Sequence, residues 1–172
     1  MTTRNRPDAA GGVPYRIVDR PAFTVAGRST WISGPDNEQF GRFWQQCQGD
    51  GTFGVLRRLT HMAPGPQTQG QVLGISRVEA DPTNRSFSFL IAVEVPADAD
   101  TGDLERYTVP ASRWAVFEAH GPVPDALVTA EIYAFSEWLP GSDYAHALAP
   151  EMEVYPPTDL PYCEFWLPLQ RR

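Results

Sequence analysis

Apolar positions recur every second residue along several short stretches of this chain and switch to helical spacing in two longer ones. From Tyr15 to Trp31, "YRIVDRPAFTVAGRSTW" carries β-branched and aromatic residues and predicts a strand, with a bulge or an edge position at Pro21. In "SGPDNEQFGRFWQQCQGDG", Pro35 and Asp36 suit a helix start. Phe40, Phe43, Trp44 and Cys47 then fall on one helical face, and Gly49 and Gly51 close the segment. "THMAPGPQTQGQ" predicts a loop, and "VLGISRVEA" and "RSFSFLIAVEVP" predict two strands joined by the turn-like "DPTN".

The same order then returns. "ERYTVPASRWAVFEAHG" is extended, with Pro110 near its middle as Pro21 is in the first stretch. "GPVPDALVTAEIYAFSEWLPG" predicts a helix with Pro124 in its first turn and Val128, Ile132, Phe135 and Leu139 as an apolar stripe, stopped by Pro140-Gly141. "MEVYPP" and "YCEFWLPL" predict two closing strands, and Trp44 and Trp138 take matching places near the ends of the two helices. The pattern predicts an α+β fold of duplicated β-α-β-β units, about 14–98 and 104–170, each an antiparallel sheet with one helix. Residues 14–170 form one domain behind a disordered tail, 1–13, that is polar and rich in Gly and Pro. Two such units leave sheet faces meeting across a central cleft, a natural place for a small ligand.

Charge and cysteine usage narrow the choices. Fourteen basic against 21 acidic residues give a formal charge of −7. No basic stripe appears, so neither nucleic acid nor an anionic membrane is expected as a direct partner. The two cysteines, Cys47 and Cys163, are far apart and follow no CxxC spacing. With no signal peptide and no apolar window long enough to span a bilayer, the expectation is a reduced, cytoplasmic protein. His61, His120 and His146 are scattered without metal-ligand spacing, and no catalytic triad, phosphate-binding loop or dinucleotide motif is visible. No metal and no cofactor is expected.

The closing strand raises the sharpest question. In "PYCEFWLPL", Tyr162, Glu164 and Trp166 share one face, with Cys163, Phe165 and Leu167 on the other. A carboxylate among aromatics is costly to desolvate without a partner. Glu164 is therefore in water on an edge strand, paired inside the protein with an arginine such as Arg113, or facing a ligand. Glu153 and Tyr155 alternate with Met152 and Val154 on the preceding strand, so both strands can present a carboxylate and aromatics on one face. Glu94 likewise interrupts the apolar "IAVEV", and Trp114 and Phe117 fall on opposite faces of their strand.

"RPAFTVAG", "LGI", "FLIAVEV", "VPASRWAVFEAHGP", "FSEWLPGSDY", "PEMEVYPP" and "CEFWLPL", in that order from about Tyr15 to Leu169, resemble the GyrI-like effector-binding domain. It is the ligand-binding module of many bacterial multidrug-responsive activators and also occurs alone. The resemblance implies the duplicated fold and a central pocket lined by aromatics and acids that takes bulky, apolar and often cationic compounds. By position it assigns ligand contacts to Glu164, Glu153, Tyr155, Trp166 and Trp138, with Trp44 and Glu94 as further candidates from the strand and helix patterns. With only about 14 tail residues and no helix-turn-helix ahead of the domain, a stand-alone member is expected, not a one-chain activator.

Three functions follow in order. The first is a binding module for sensing, sequestration or toxin resistance. The second is a hydrolase of strained, cyclopropane-bearing genotoxins, in which Glu164 acts as general base on a water and Tyr155 or a tryptophan fixes the substrate. The third is a protein-interaction role, through DNA gyrase or a regulator.

Overall fold

A computed structural model describes residues 3–5, 12–156 and 160–172. In chain order the strands are β1 Thr3–Asn5, β2 Tyr15–Arg20, β3 Phe23–Ile32, β4 Val72–Arg77, β5 Phe87–Val95, β6 Glu105–Val109, β7 Ser112–His120, β8 Tyr144–His146, β9 Glu151–Tyr155 and β10 Tyr162–Arg171. The helices are α1 Glu38–Gly49, α2 Thr52–Met62 and α3 Asp125–Tyr133, the last running on as a π-helical turn over Ala134–Trp138. Of the predicted disordered tail, Thr3–Asn5 form a strand against β2; residues 1, 2 and 6–11 lie outside the described residues, as does Pro157 at the end of "MEVYPP".

Pro21 and Pro110 each cut a stretch that reads as one strand into two, because proline cannot donate to a ladder. The halves then part company. β3 pairs with β5 of its own half, whereas β2 crosses to pair with β7. β7 pairs with β10 of its own half, whereas β6 crosses to pair with β3. The result is one antiparallel sheet in the order β1-β2-β7-β10-β9-β4-β5-β3-β6, with β8 added on β10. From β2 to β6 the order reads alike from both ends, and its midpoint is the β4–β9 pair.

All three helices lie on one face. α1 and α2 cover Ala26, Ile32, Phe87, Phe89, Ile91 and Val93, and α3 covers Ala115, Phe117, Cys163, Phe165 and Leu167. The other face buries Val25, Leu73, Ile75, Leu90, Trp114, Val116, Met152, Val154 and Trp166, with no helix packed on it among the described residues. The predicted meeting of two sheet faces is thus a single continuous sheet, and its helix-free side is filled by core.

The helices differ from expectation in two respects. A second helix, α2, occupies residues left unassigned and takes in the first residues of the predicted loop, Thr60, His61 and Met62; Gly51, at φ +85°, turns the chain between it and α1. On α3 the buried stripe is Leu127, Ala130 and Ala134, and Ile132 of the predicted stripe is 60% exposed. Small alanines let this helix lie close on the sheet, and Phe135 and Leu139 of the predicted stripe pack half-buried against the same core. Among the described residues no helix is long and apolar enough to cross a membrane.

Candidate functional site

Two helix groups on one sheet face leave a gap between them, and the gap lies over the β4–β9 midpoint. It is a cleft of about 1150 Å³. Phe40 and Trp44 of α1 and Phe53 of α2 form one wall, and Val123, Leu127, Val128 and Glu131 of the α3 segment form the other. The floor is Val72 and Ser76 of β4, Glu151, Glu153 and Tyr155 of β9, and Phe165 of β10. Trp44 stacks on Phe53 at 5.7 Å and meets Tyr155 edge-on at 5.1 Å, which fixes the aromatic wall to the floor.

Alternation along β9 puts Glu151, Glu153 and Tyr155 on the helix side and Met152 and Val154 in the opposite core. Two carboxylates from β9 and Glu131 from α3 therefore meet on one side of the cleft, with Glu38 of α1 on the opposite wall. Their surroundings separate them. Glu151 takes a two-pronged contact from Arg85 at 3.1 Å on each oxygen and a contact from His146 Nε2 at 2.9 Å. Burial alone would raise its pKa, but the hydrogen bonds of His146 and Arg85 hold it below the ordinary carboxylate range. Glu153 accepts the Tyr155 hydroxyl at 2.5 Å, yet burial and the Glu151 charge push it up to about 7. Glu131 has no hydrogen bond or ion pair among the described residues; burial first, then the Glu153 and Glu151 charges, push it up to about 8. Burial and the Glu153 charge raise the Tyr155 phenol well above its usual value. An apolar cleft holding two uncompensated acids can accept a cation, and either acid can hold or release a proton near neutrality. Among the described residues no group of three or more His, Cys, Asp or Glu side chains is arranged to hold a metal ion.

Of the residues singled out in the sequence, Glu153, Tyr155 and Trp44 meet in this cleft. Glu164 does not. In the β9–β10 register Glu153 stands opposite Phe165 and Glu164 opposite Val154, so the two carboxylates point to opposite faces. Glu164 is 7% exposed on the helix-free side, where it binds Arg16 at 2.8 Å, the Tyr162 hydroxyl at 2.8 Å and Trp166 Nε1 at 3.2 Å. It is a carboxylate paired inside the protein, with Arg16 as partner; Arg113 instead pairs with Asp19. Trp166 packs at 5.8 Å on Trp114 in the same core. Trp138 packs on Tyr15, Phe117 and Tyr144 beneath the end of α3. Glu94 is buried and accepts from the Gln67 and Thr68 amides and the Thr68 hydroxyl, pinning the loop between α2 and β4. The hydrolytic reading placed its general base on Glu164; that carboxylate is engaged with Arg16 away from the cleft, so the reading loses its base.

Glu131, Glu151, Phe53 and Arg85 are cleft residues that the sequence reading did not select. Glu131 left a usable trace, being a lone acid in the apolar "ALVTAEIYAF" on a helix otherwise free of charge between Asp125 and Glu137. Glu151 left one too, two residues before Glu153 on the same strand face.

The sequence model of the GyrI-like small molecule binding domain matches residues 14–170. In fold the chain is similar to SAV2435 bound to tetraphenylphosphonium, with a TM-score of 0.73 and 24% identity over 91% of this chain and 93% of that one. It is also similar to a putative bacterial transcription regulation protein from Staphylococcus aureus MU50, at 0.72 and 23% over 92% and 99% of the two chains. A third similar fold is the EcmrR C-terminal domain, at 0.59 and 15% over 92% and 98%. No curated protein matches the chain.

Proposed function

The chain belongs to the GyrI-like small molecule binding domain family, and from that premise we propose that it captures bulky apolar cations in the helix-side cleft, for sensing, sequestration or toxin resistance. One observation carries the reading: Glu131, a carboxylate without a partner among the described residues, enters an aromatic-walled cleft of about 1150 Å³ beside Glu153. Aromatic walls contribute burial of apolar surface, worth about 25 cal/mol per Å², and rings that attract a cation through their faces. The acids supply the charge preference, which is strong where water is scarce. SAV2435 is bound to tetraphenylphosphonium, and that permanent, four-ringed cation is the natural first probe here. Free, buried Cys47 and Cys163 suit the reducing cytoplasm in which we place the protein. Neither gyrase nor a regulator is required as a partner for this activity.

Calorimetric titration tests it. Tetraphenylphosphonium binds the native chain at least about tenfold more tightly than neutral triphenylphosphine oxide, a preference of about 1.4 kcal/mol. Glu131→Gln and Glu153→Gln reduce that preference, and Trp44→Ala weakens both compounds together. Failure of both compounds to bind, or a charge preference untouched by either glutamine, overturns the reading.

A further inference from the structure

We propose that each monovalent lipophilic cation entering the cleft expels one proton from the Glu131–Glu153 pair, so that the empty and the occupied cleft carry the same charge. The proposal rests on the reading of the cleft as a cation site.

Counter-ion geometry is its basis. Four carboxylates line the cleft, Glu38 on the far wall and the other three together, and the arginine beside those three is engaged with Glu151: Arg85 grips it through both oxygens, and His146 holds it from β8. Glu153 has only the Tyr155 hydroxyl, a neutral donor, and Glu131 has no hydrogen-bond or ion-pair partner among the described residues. Among the described groups packed beside the pair Arg85 alone is positive, and its effect on Glu131 is outweighed by burial and by the Glu153 and Glu151 charges. Tyr155 on β9 and Cys163 on β10 are both held in their neutral forms by burial and by the acids beside them. Glu38 of α1 and Arg57 of α2 line the cleft from its opposite wall. Glu131 and Glu153 are half-buried in one largely apolar cleft with no cation between them, which disfavours ionising both, so the empty cleft keeps a proton on the pair. The upward shifts of both acids, from burial and mutual repulsion, agree with that placement.

A bound tetraphenylphosphonium supplies the missing positive charge. The carboxyl O–H bond breaks, its electrons stay on the carboxylate, and the proton passes to buffer. Gly74 keeps the exchange site open from below: a Cβ there would lie 2.9 Å from Glu153 Oε2. Protonation of the pair therefore competes with cation binding, and a neutral ligand, which supplies no charge, leaves the proton in place.

Titrating tetraphenylphosphonium into the native chain at pH 7 in phosphate, HEPES and Tris reads the proton directly, since the observed heat shifts with each buffer's ionisation enthalpy. The expected slope corresponds to release of about 0.5–1 proton per cation, with about none for triphenylphosphine oxide. Cation affinity rises up to roughly tenfold per pH unit below pH 7 and levels off above about pH 8. Glu131→Gln and Glu153→Gln each cut the release to less than about half, two variants serving in case one folds poorly. Cation binding with equal heats in all three buffers overturns the exchange and leaves the cation site standing, as does an unchanged release in both variants. Absence of any cation binding removes the site itself, and the exchange with it.

Discussion

Glu153 stands directly opposite Gly74 across the β4–β9 midpoint, and its carboxylate lies over the space that a side chain at Gly74 would fill. A Cβ there would come within 2.9 Å of both Glu153 Oε2 and Phe89 Cζ, closer than such contacts normally fall. Phe89 is fully buried and meets Phe40 at 4.9 Å, so its ring has little room to yield. Gly74→Ala is therefore expected to displace the carboxylate, lowering tetraphenylphosphonium affinity about tenfold, and to cost roughly 1–3 kcal/mol of stability through overpacking. Calorimetry and chemical denaturation measure the two effects. Unchanged binding would show that the Glu153 position is immaterial.

The Arg16–Glu164 pair is expected to be structural. Glu164 is nearly buried and Arg16 is about a quarter exposed, so removing one partner strands a charge that water reaches only in part. Glu164→Gln should destabilise the chain by about 1–3 kcal/mol, below the usual cost of breaking a fully buried pair. Its affinity for tetraphenylphosphonium should stay within about twofold of the native value, since distant sites act independently. A large loss of affinity at native stability would return Glu164 to the ligand site.

These two glutamates mark where the sequence stopped being readable. Alternation along each strand was legible, and it put Glu153 with Tyr155 and Glu164 with Trp166 correctly. What alternation cannot supply is the register between strands, and a shift of one residue reverses which faces coincide. The sequence alone puts both acids in one pocket, whereas Glu153 faces the helices and Glu164 the helix-free core. The prolines were legible as interruptions at matching places. That β2 and β6 would cross to the opposite half depends on contacts 78–102 residues apart in sequence, which no local pattern records. α2 was hidden differently: Phe53, Leu56 and Leu59 repeat every third residue, but Gly49, Gly51 and Gly54 mask the restart of a helix just after one has ended. The α+β class, most strand positions and the aromatic character of the cleft survived, because they rest on composition and short-range period.

Stability should fall as pH rises through neutrality. Glu131 and Glu153 are held above their unfolded value of 4.5, to about 8 and about 7. Between about pH 4.5 and 8 the folded chain keeps protons that the unfolded chain has released, so alkali favours unfolding across this window. Asp19, Asp50, Asp81 and Glu151 are shifted downward and act below it. Allowing for water in the open cleft, the pair accounts for roughly 1–3 kcal/mol, or about 3–10 °C in Tm, between pH 5 and pH 8.5. Thermal melts across that range should show the decline in the native chain and a shallower one in Glu131→Gln and Glu153→Gln. A Tm that is flat or rises through this window would contradict the placement of both acids.

Trp44 and Trp138, expected from the sequence at matching places near the ends of two helices, lie in the middle of α1 and at the end of the α3 continuation, and should separate cleanly by experiment. Trp44 reaches the cleft, stacked on Phe53 and edge-on to Tyr155, with one side open to a ligand. Trp138 is enclosed by Tyr15, Phe117 and Tyr144, with ring centres 5.3, 5.4 and 6.3 Å away, and ties α3 to β2, β7 and β8. Trp44→Ala is expected to weaken tetraphenylphosphonium and triphenylphosphine oxide alike by about tenfold or more, since the lost ring serves apolar contact for both. Its cost in stability is smaller than that of Trp138→Ala, which leaves a cavity among three rings and loses about 3–5 kcal/mol. Ligand affinity in Trp138→Ala should stay near native wherever the variant remains folded, as checked by calorimetry below its melting temperature. Equal effects of the two substitutions on affinity would mean that the aromatic wall at Phe53 and Trp44 is not where the ligand rests.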